Sequence, residues 1–164
     1  MKDISAKYIG LITGAVMVIT ALILFYVLKL PAIGKGQYLI WAIYSAGIIW
    51  SLMLYKQHLE DQRFKAYFSQ GFKTFIVAAL IIIVYTFIFY KMNPQIVEKM
   101  ISDNDALILK EGNHTPAEMK QNADKFRSIF IPGMLMTNTL IYLVIGALVS
   151  VIGAGFLADK KVKS

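Results

Sequence analysis

Leu80-Ile81-Ile82-Ile83-Val84-Tyr85-Thr86-Phe87-Ile88-Phe89-Tyr90 decides the fold. Wound as a helix, this stretch presents apolar side chains in every direction, with Thr86 the sole polar break. A helix packed in a soluble bundle keeps a polar stripe for water, and none is present here. Its solvent is therefore hydrocarbon. Extended back to Phe72, the segment is 19 residues long and charged only at Lys73, whose stem can snorkel to the interface. A hydrocarbon core of roughly 30 Å takes about 20 helical residues, so the length fits one crossing.

Working outward, Tyr8–Leu28, Tyr38–Tyr55 and Ile131–Leu157 hold 21, 18 and 27 residues without a charge. The four runs account for 85 of the 164 residues. The expected fold is all-α: a polytopic, four-transmembrane-helix bundle, with residues 1–164 forming a single membrane domain. Composition agrees, because charged residues make up only 16% where soluble domains carry roughly 25%. With no cysteine in the chain, a disulfide framework, a thiolate metal site and a cysteine nucleophile are all excluded. The first run exceeds the apolar core of a cleaved signal peptide, and Lys29-Leu30-Pro31-Ala32 offers no small-x-small cleavage site, so it reads as a retained anchor.

An even number of crossings puts both termini on one side. That side gathers Lys2, Lys7, Lys56, Arg63, Lys65, Lys73, Lys160, Lys161 and Lys163 in short segments. The other side has Lys29 and Lys35, then a long loop where Lys91, Lys99, Lys110, Lys120, Lys125 and Arg127 are matched by Glu98, Asp103, Asp105, Glu111, Glu118 and Asp124. The two sides carry +5 and +2, together the +7 of the chain. Positive residues concentrate on the cytoplasmic side of short loops, so both termini are expected in the cytoplasm. The basic balance then addresses anionic headgroups, making the lipid bilayer the first partner, and no basic domain for nucleic acid is present. Tyr8, Tyr26, Tyr38, Trp41, Tyr55, Tyr67, Phe68, Phe72 and Tyr90 sit near span ends, where amphipathic rings settle.

The loop over residues 92–130 is expected to fold as two amphipathic helices. Pro94 opens the first, with Ile96, Val97, Met100 and Ile101 on one face, and Gly112-Asn113 ends it. Thr115-Pro116-Ala117-Glu118 is a helix start: Thr115 caps, Pro116 suits the first turn and Glu118 completes a capping box. Met119, Ala123, Phe126 and Phe130 make the apolar stripe of the second helix, which runs into the fourth span. The hairpin serves either as a docking surface for a partner or as a cap on the protein's own helices. Asn113-His114-Thr115 matches a glycosylation sequon, a triplet frequent by chance.

Ionisable groups inside a bilayer mark function, and the four runs hold none in their interiors. His58 and His114 fall in opposite loops, and no Ser/His/Asp set, phosphate loop or HExxH pattern occurs. Neither catalytic nor cofactor- or metal-binding residues are expected. Asn138 is the strongly polar residue of the fourth run; its amide is expected to bond another helix or to touch a substrate or lipid. Gly10 and Gly14, together with Gly146, Ser150 and Ala154, repeat every four residues, as do Ala42/Ala46 and Gly47/Ser51. Such small-residue faces let helices approach closely, within one chain or between copies. Pro132-Gly133 is read as the opening of the fourth span, where a missing N–H costs little.

Three stretches carry a resemblance: Phe64-Lys65-Ala66-Tyr67-Phe68-Ser69-Gln70-Gly71-Phe72-Lys73-Thr74-Phe75, then Tyr90-Lys91-Met92-Asn93-Pro94, then Gly146-Ala147-Leu148-Val149-Ser150-Val151-Ile152-Gly153-Ala154 followed by Lys160-Lys161. Over nearly its whole length the chain resembles the domain of unknown function 4199 family, four-span inner-membrane proteins of Bacteroidota. That resemblance implies a bacterial cytoplasmic membrane and a gene neighbourhood with membrane glycosyltransferases, and carries over no catalytic residue. The leading expectation is a non-catalytic accessory or scaffold subunit for a membrane enzyme, glycosyltransferase-like and tied to lipid-linked sugar and envelope assembly, or else a self-associating protein. The alternative is a small flippase for lipid-linked saccharides or a solute carrier. An interfacial enzyme using His58, Glu60 and Asp61 is a third.

Overall fold

The structure, a computed structural model, describes residues 5–56, 63–111 and 115–158. All regular elements among them are helical: α1 (Ala6–Leu22), α2 (Gly36–Lys56), α3 (Phe64–Met92), α4 (Pro94–Glu111) and α5 (Pro116–Leu157). α1 continues as a π-helical turn over Ile23–Val27, where Leu28 N–H reaches back five residues to Ile23 O at 3.0 Å. With that turn, α1 joins α2, α3 and α5 as the four helices long and apolar enough to cross a membrane. Only 22 to 33% of each apolar window is buried inside the protein. The remaining apolar surface faces outward, as with Leu80, Val84, Val144, Leu148 and Ile152. Four such faces cannot rest in water; this is a membrane protein.

The chain divides into two compact units, one of residues up to Ile83 together with those from Thr139 onward, the other Val84–Asn138. α3 and α5 each run through both. In the first unit the helices approach through glycines. A Cβ on Gly10 would lie 2.7 Å from Thr74 O, and one on Gly14 would lie 2.7 Å from Ile81 Cδ1, so α1 rides directly on α3. Gly47 of α2 abuts Thr13 of α1. Gly146 of α5 receives the Phe75 ring and the Tyr44 hydroxyl, each 2.6 Å from where its Cβ would stand. Around these contacts Ile9, Met17, Tyr44, Ile48, Leu52 and Phe75 are buried. Hydrocarbon gives no hydrophobic drive between helices, so close fit of this kind supplies the attraction.

The second unit holds the end of α3, all of α4 and the first part of α5. Asn93 joins α3 to α4: its backbone N–H and its side-chain Nδ2 donate to Phe89 O at 3.0 and 2.8 Å, while its own carbonyl accepts from Ile96 N–H. Val97 and Ile101 of α4 and Ala123 and Phe130 of α5 are buried, on the faces that the apolar spacing defines. The capping box at the start of α5 is formed, Thr115 N–H donating to Glu118 Oε2 at 2.8 Å and Glu118 N–H to Thr115 Oγ1 at 3.3 Å. Gly112, Asn113 and His114 lie outside the described residues.

Two boundaries differ from the sequence reading. α3 starts at Phe64 rather than at the apolar run from Phe72, because Phe64-Lys65-Ala66-Tyr67-Phe68-Ser69-Gln70 holds no helix breaker and its rings stack along the helix, Phe64 on Phe68 at 6.1 Å. Pro132 opens no helix. It lies inside α5, where its missing N–H leaves Ser128 O without the usual donor four residues on.

Candidate functional site

Two groups of polar side chains stand out, one in each unit. In the first unit, Gln70 Nε2 donates to Ser51 Oγ at 3.1 Å, and Ser51 and Thr74 hydroxyls are 2.7 Å apart. Thr74 Oγ1 donates to the carbonyls of Gln70 (3.0 Å) and Ala6 (3.3 Å). The bonds run from the Gln70 amide through Ser51 to Thr74, whose single hydroxyl hydrogen the two carbonyls share. The set ties α1, α2 and α3 together. A second fastening comes from the Tyr44 hydroxyl of α2, which donates to Tyr142 O of α5 at 3.0 Å and to Phe75 O of α3 at 3.3 Å. The two tyrosine rings meet edge-on at 5.2 Å.

Every member of this set is neutral, and Ser51 and Thr74 are wholly enclosed. Its chemistry is satisfaction of polar groups that lipid would leave unpaired, which holds helix against helix. The residues singled out from the sequence flank it. Gly10 faces Thr74 and Val77, Gly14 faces Ile81, and Gly146 faces Phe75 and Tyr44. Ser150 is fully buried with its hydroxyl against Gly71 of α3, and Ala154 is fully buried. Asn138 is buried in the second unit.

Gln70, Thr74 and Tyr44 escaped the sequence reading. Gln70 precedes the apolar run on which the third span was drawn. Tyr44 and Tyr142 did carry a signal: both fall near the middle of their runs, far from the interfaces where membrane tyrosines usually sit.

In the second unit the notable feature is the hairpin of α4 and α5. Arg127 grips Glu98 with two parallel hydrogen bonds of 2.7 Å, from Nε to Oε1 and Nη2 to Oε2, and reaches Asp124 through Nη1 at 2.8 Å. The Arg127 hydrogen bonds hold the Glu98 carboxyl below its ordinary range, and the same contacts raise the guanidinium. Both groups are exposed, so water screens the pair and the gain is geometric more than energetic. Beside this clamp lies an open cleft of about 220 Å³ lined by Ile101, Asn104, Asp105 and Ile108 of α4 and by Asn122, Ala123, Lys125, Phe126 and Ile129 of α5. Among the described residues, no three His, Asp or Glu side chains converge as metal ligands. His58, Glu60 and Asp61 lie outside the described residues.

A family model described as "Protein of unknown function (DUF4199)" matches residues 8–159, nearly the whole chain. No curated protein and no solved structure matches it.

Proposed function

The chain belongs to the DUF4199 family of proteins of unknown function, and we propose that it acts as a non-catalytic accessory subunit that holds or regulates a membrane enzyme. In this reading it sits in a bacterial cytoplasmic membrane with both termini in the cytoplasm, and the α4–α5 hairpin stands on the opposite face. One contrast carries the proposal. Inside the spans, side chains are packed onto glycines, and the polar set of Gln70, Ser51 and Thr74 is neutral and bonded to itself and to backbone carbonyls. On the hairpin, by contrast, charged side chains are exposed on a clamped pair of helices. The spans are built for cohesion and the hairpin for presentation. A closely filled span interior also weighs against a flippase, which needs a polar path for its headgroup. The partner class follows from the family resemblance: an enzyme of lipid-linked sugar assembly.

Photo-crosslinking in native membranes tests this. Crosslinkers at exposed Asp103 and Glu118 on the hairpin should capture the same membrane enzyme, whereas a crosslinker at outward-facing Leu80 should capture chiefly lipid. A pure monomer, with no reproducible adduct from either hairpin position and none after purification in mild detergent, would overturn the proposal.

A further inference from the structure

Lys73 is the one charge in the four apolar runs, second of the 19 residues of Phe72–Tyr90. It is exposed, and among the described residues it has no ion pair. Nor is a carboxylate at hand: every Asp and Glu among the described residues belongs to the second unit, whereas Lys73 belongs to the first. A cation rooted in a membrane-crossing run draws its counter-charge from what surrounds that run. The anion a membrane offers there is the phosphate of a lipid headgroup.

The helix supplies a second cation. Lys65, Ser69 and Lys73 follow one another at intervals of four within α3, so each is the surface neighbour of the next, about 6 Å away. Tyr67, Gln70, Thr74 and Ala78 are buried on the opposite side of the helix, which turns this stripe outward. Lys65 is exposed and, among the described residues, also has no ion pair. A phosphate resting over Ser69 is one turn from either ammonium, within reach of both stems, and the hydroxyl is a third donor. Alongside run the rings of Phe64, Phe68 and Phe72, successive centroids 6.1 Å apart. Exposed Phe72 and Leu80 carry the same face on along the apolar run. One face of one helix thus matches both halves of a lipid, donors at the end of the run and apolar surface along it.

We propose that the outward face of α3 binds one anionic phospholipid, its phosphate over Ser69 between Lys65 and Lys73 and its chains along Phe72 and Leu80. Two cations with no carboxylate beside them favour a headgroup of net negative charge. A zwitterionic lipid brings its own ammonium, which the lysines repel. This site is independent of the accessory-subunit reading, since the lipid occupies α3 whether or not the hairpin docks an enzyme.

Native mass spectrometry of the full chain in mild detergent, titrated with phosphatidylglycerol or phosphatidylethanolamine, tests the proposal. The expected result is one retained lipid per chain, with phosphatidylglycerol held several-fold better. Lys65→Gln with Lys73→Gln should abolish that preference. Lys29→Gln with Lys35→Gln removes the same charge from the segment joining α1 to α2 and should leave the preference intact. All four side chains are exposed, and unchanged helical circular dichroism would show that the variants fold. Equal retention of the two lipids by the unaltered chain would overturn the proposal. So would a preference that survives the loss of Lys65 and Lys73, or one that both double variants reduce alike, the mark of net charge without a site. Displacement of the lipid by millimolar inorganic phosphate would also count against it, since the site would then take a free anion.

Discussion

At the scale of single residues, glycines that look alike in the sequence have opposite roles. Gly146 has the Phe75 ring and Tyr44 hydroxyl where its Cβ would go, whereas Gly133 and Gly155 have nothing within 4 Å. Gly146→Val should therefore destabilise the bundle by about 1–3 kcal/mol through overpacking. Gly155→Ala should be neutral or stabilise by up to about 1 kcal/mol, since alanine is the better helix former. Thermal melts followed by circular dichroism in one detergent compare the two directly. Ser51→Ala removes the acceptor of Gln70 and the partner of Thr74. The expected loss is about 0.6–1.7 kcal/mol, from the average to the largest value found for hydrogen bonds between membrane helices. The spacing of Gly10, Gly14 and Gly146 was legible because packing in lipid favours small residues at intervals of four. Which partner each one meets was not, because that depends on the rotation of a second helix. Gln70 was hidden for another reason: a polar residue at the end of an apolar run reads as the edge of a span.

At the scale of elements, local signals were readable and distant ones were not. The Thr115–Glu118 box needs only a spacing of three residues, and it is formed. Thr115→Ala should cost about 1 kcal/mol of hairpin stability, read as faster amide exchange over the first turns of α5. The Glu98–Arg127 clamp joins residues 29 apart and appears only once α4 and α5 are set in register. Because the clamp lowers the Glu98 pKa, its contribution is present above the ordinary carboxylate range and is lost as pH falls through the lowered value. Carboxyl NMR should find Glu98 titrating below the ordinary glutamate range, and Arg127→Gln should return it toward that range. Pro132 was misjudged because a helix opening and a helix interior look identical when two helices fuse without a break. Pro132→Ala restores a donor for Ser128 O and should raise the melting temperature, as removal of an interior proline does.

For the whole molecule, the fold class was the most legible property of all. Four apolar runs, three of them uncharged and one charged only at Lys73, and a charge-balanced loop leave few ways to satisfy the backbone in lipid. The arrangement inside the bundle was beyond the sequence, as it rests on Tyr44, Thr74 and Gln70 finding partners on other helices. The most direct test of the account uses the absence of cysteine from the chain, which makes every introduced thiol unique. Single cysteines replace Asp103 in α4, Ala78 inside α3 and Lys56 at the end of α2. Each is then challenged with a membrane-impermeant maleimide, with the cytoplasmic membrane sealed and then opened. The account predicts labelling at 103 in the sealed state, at 56 only after opening, and at 78 in neither. Labelling at 78 in sealed membranes, or protection of 103 together with exposure of 56, would contradict it.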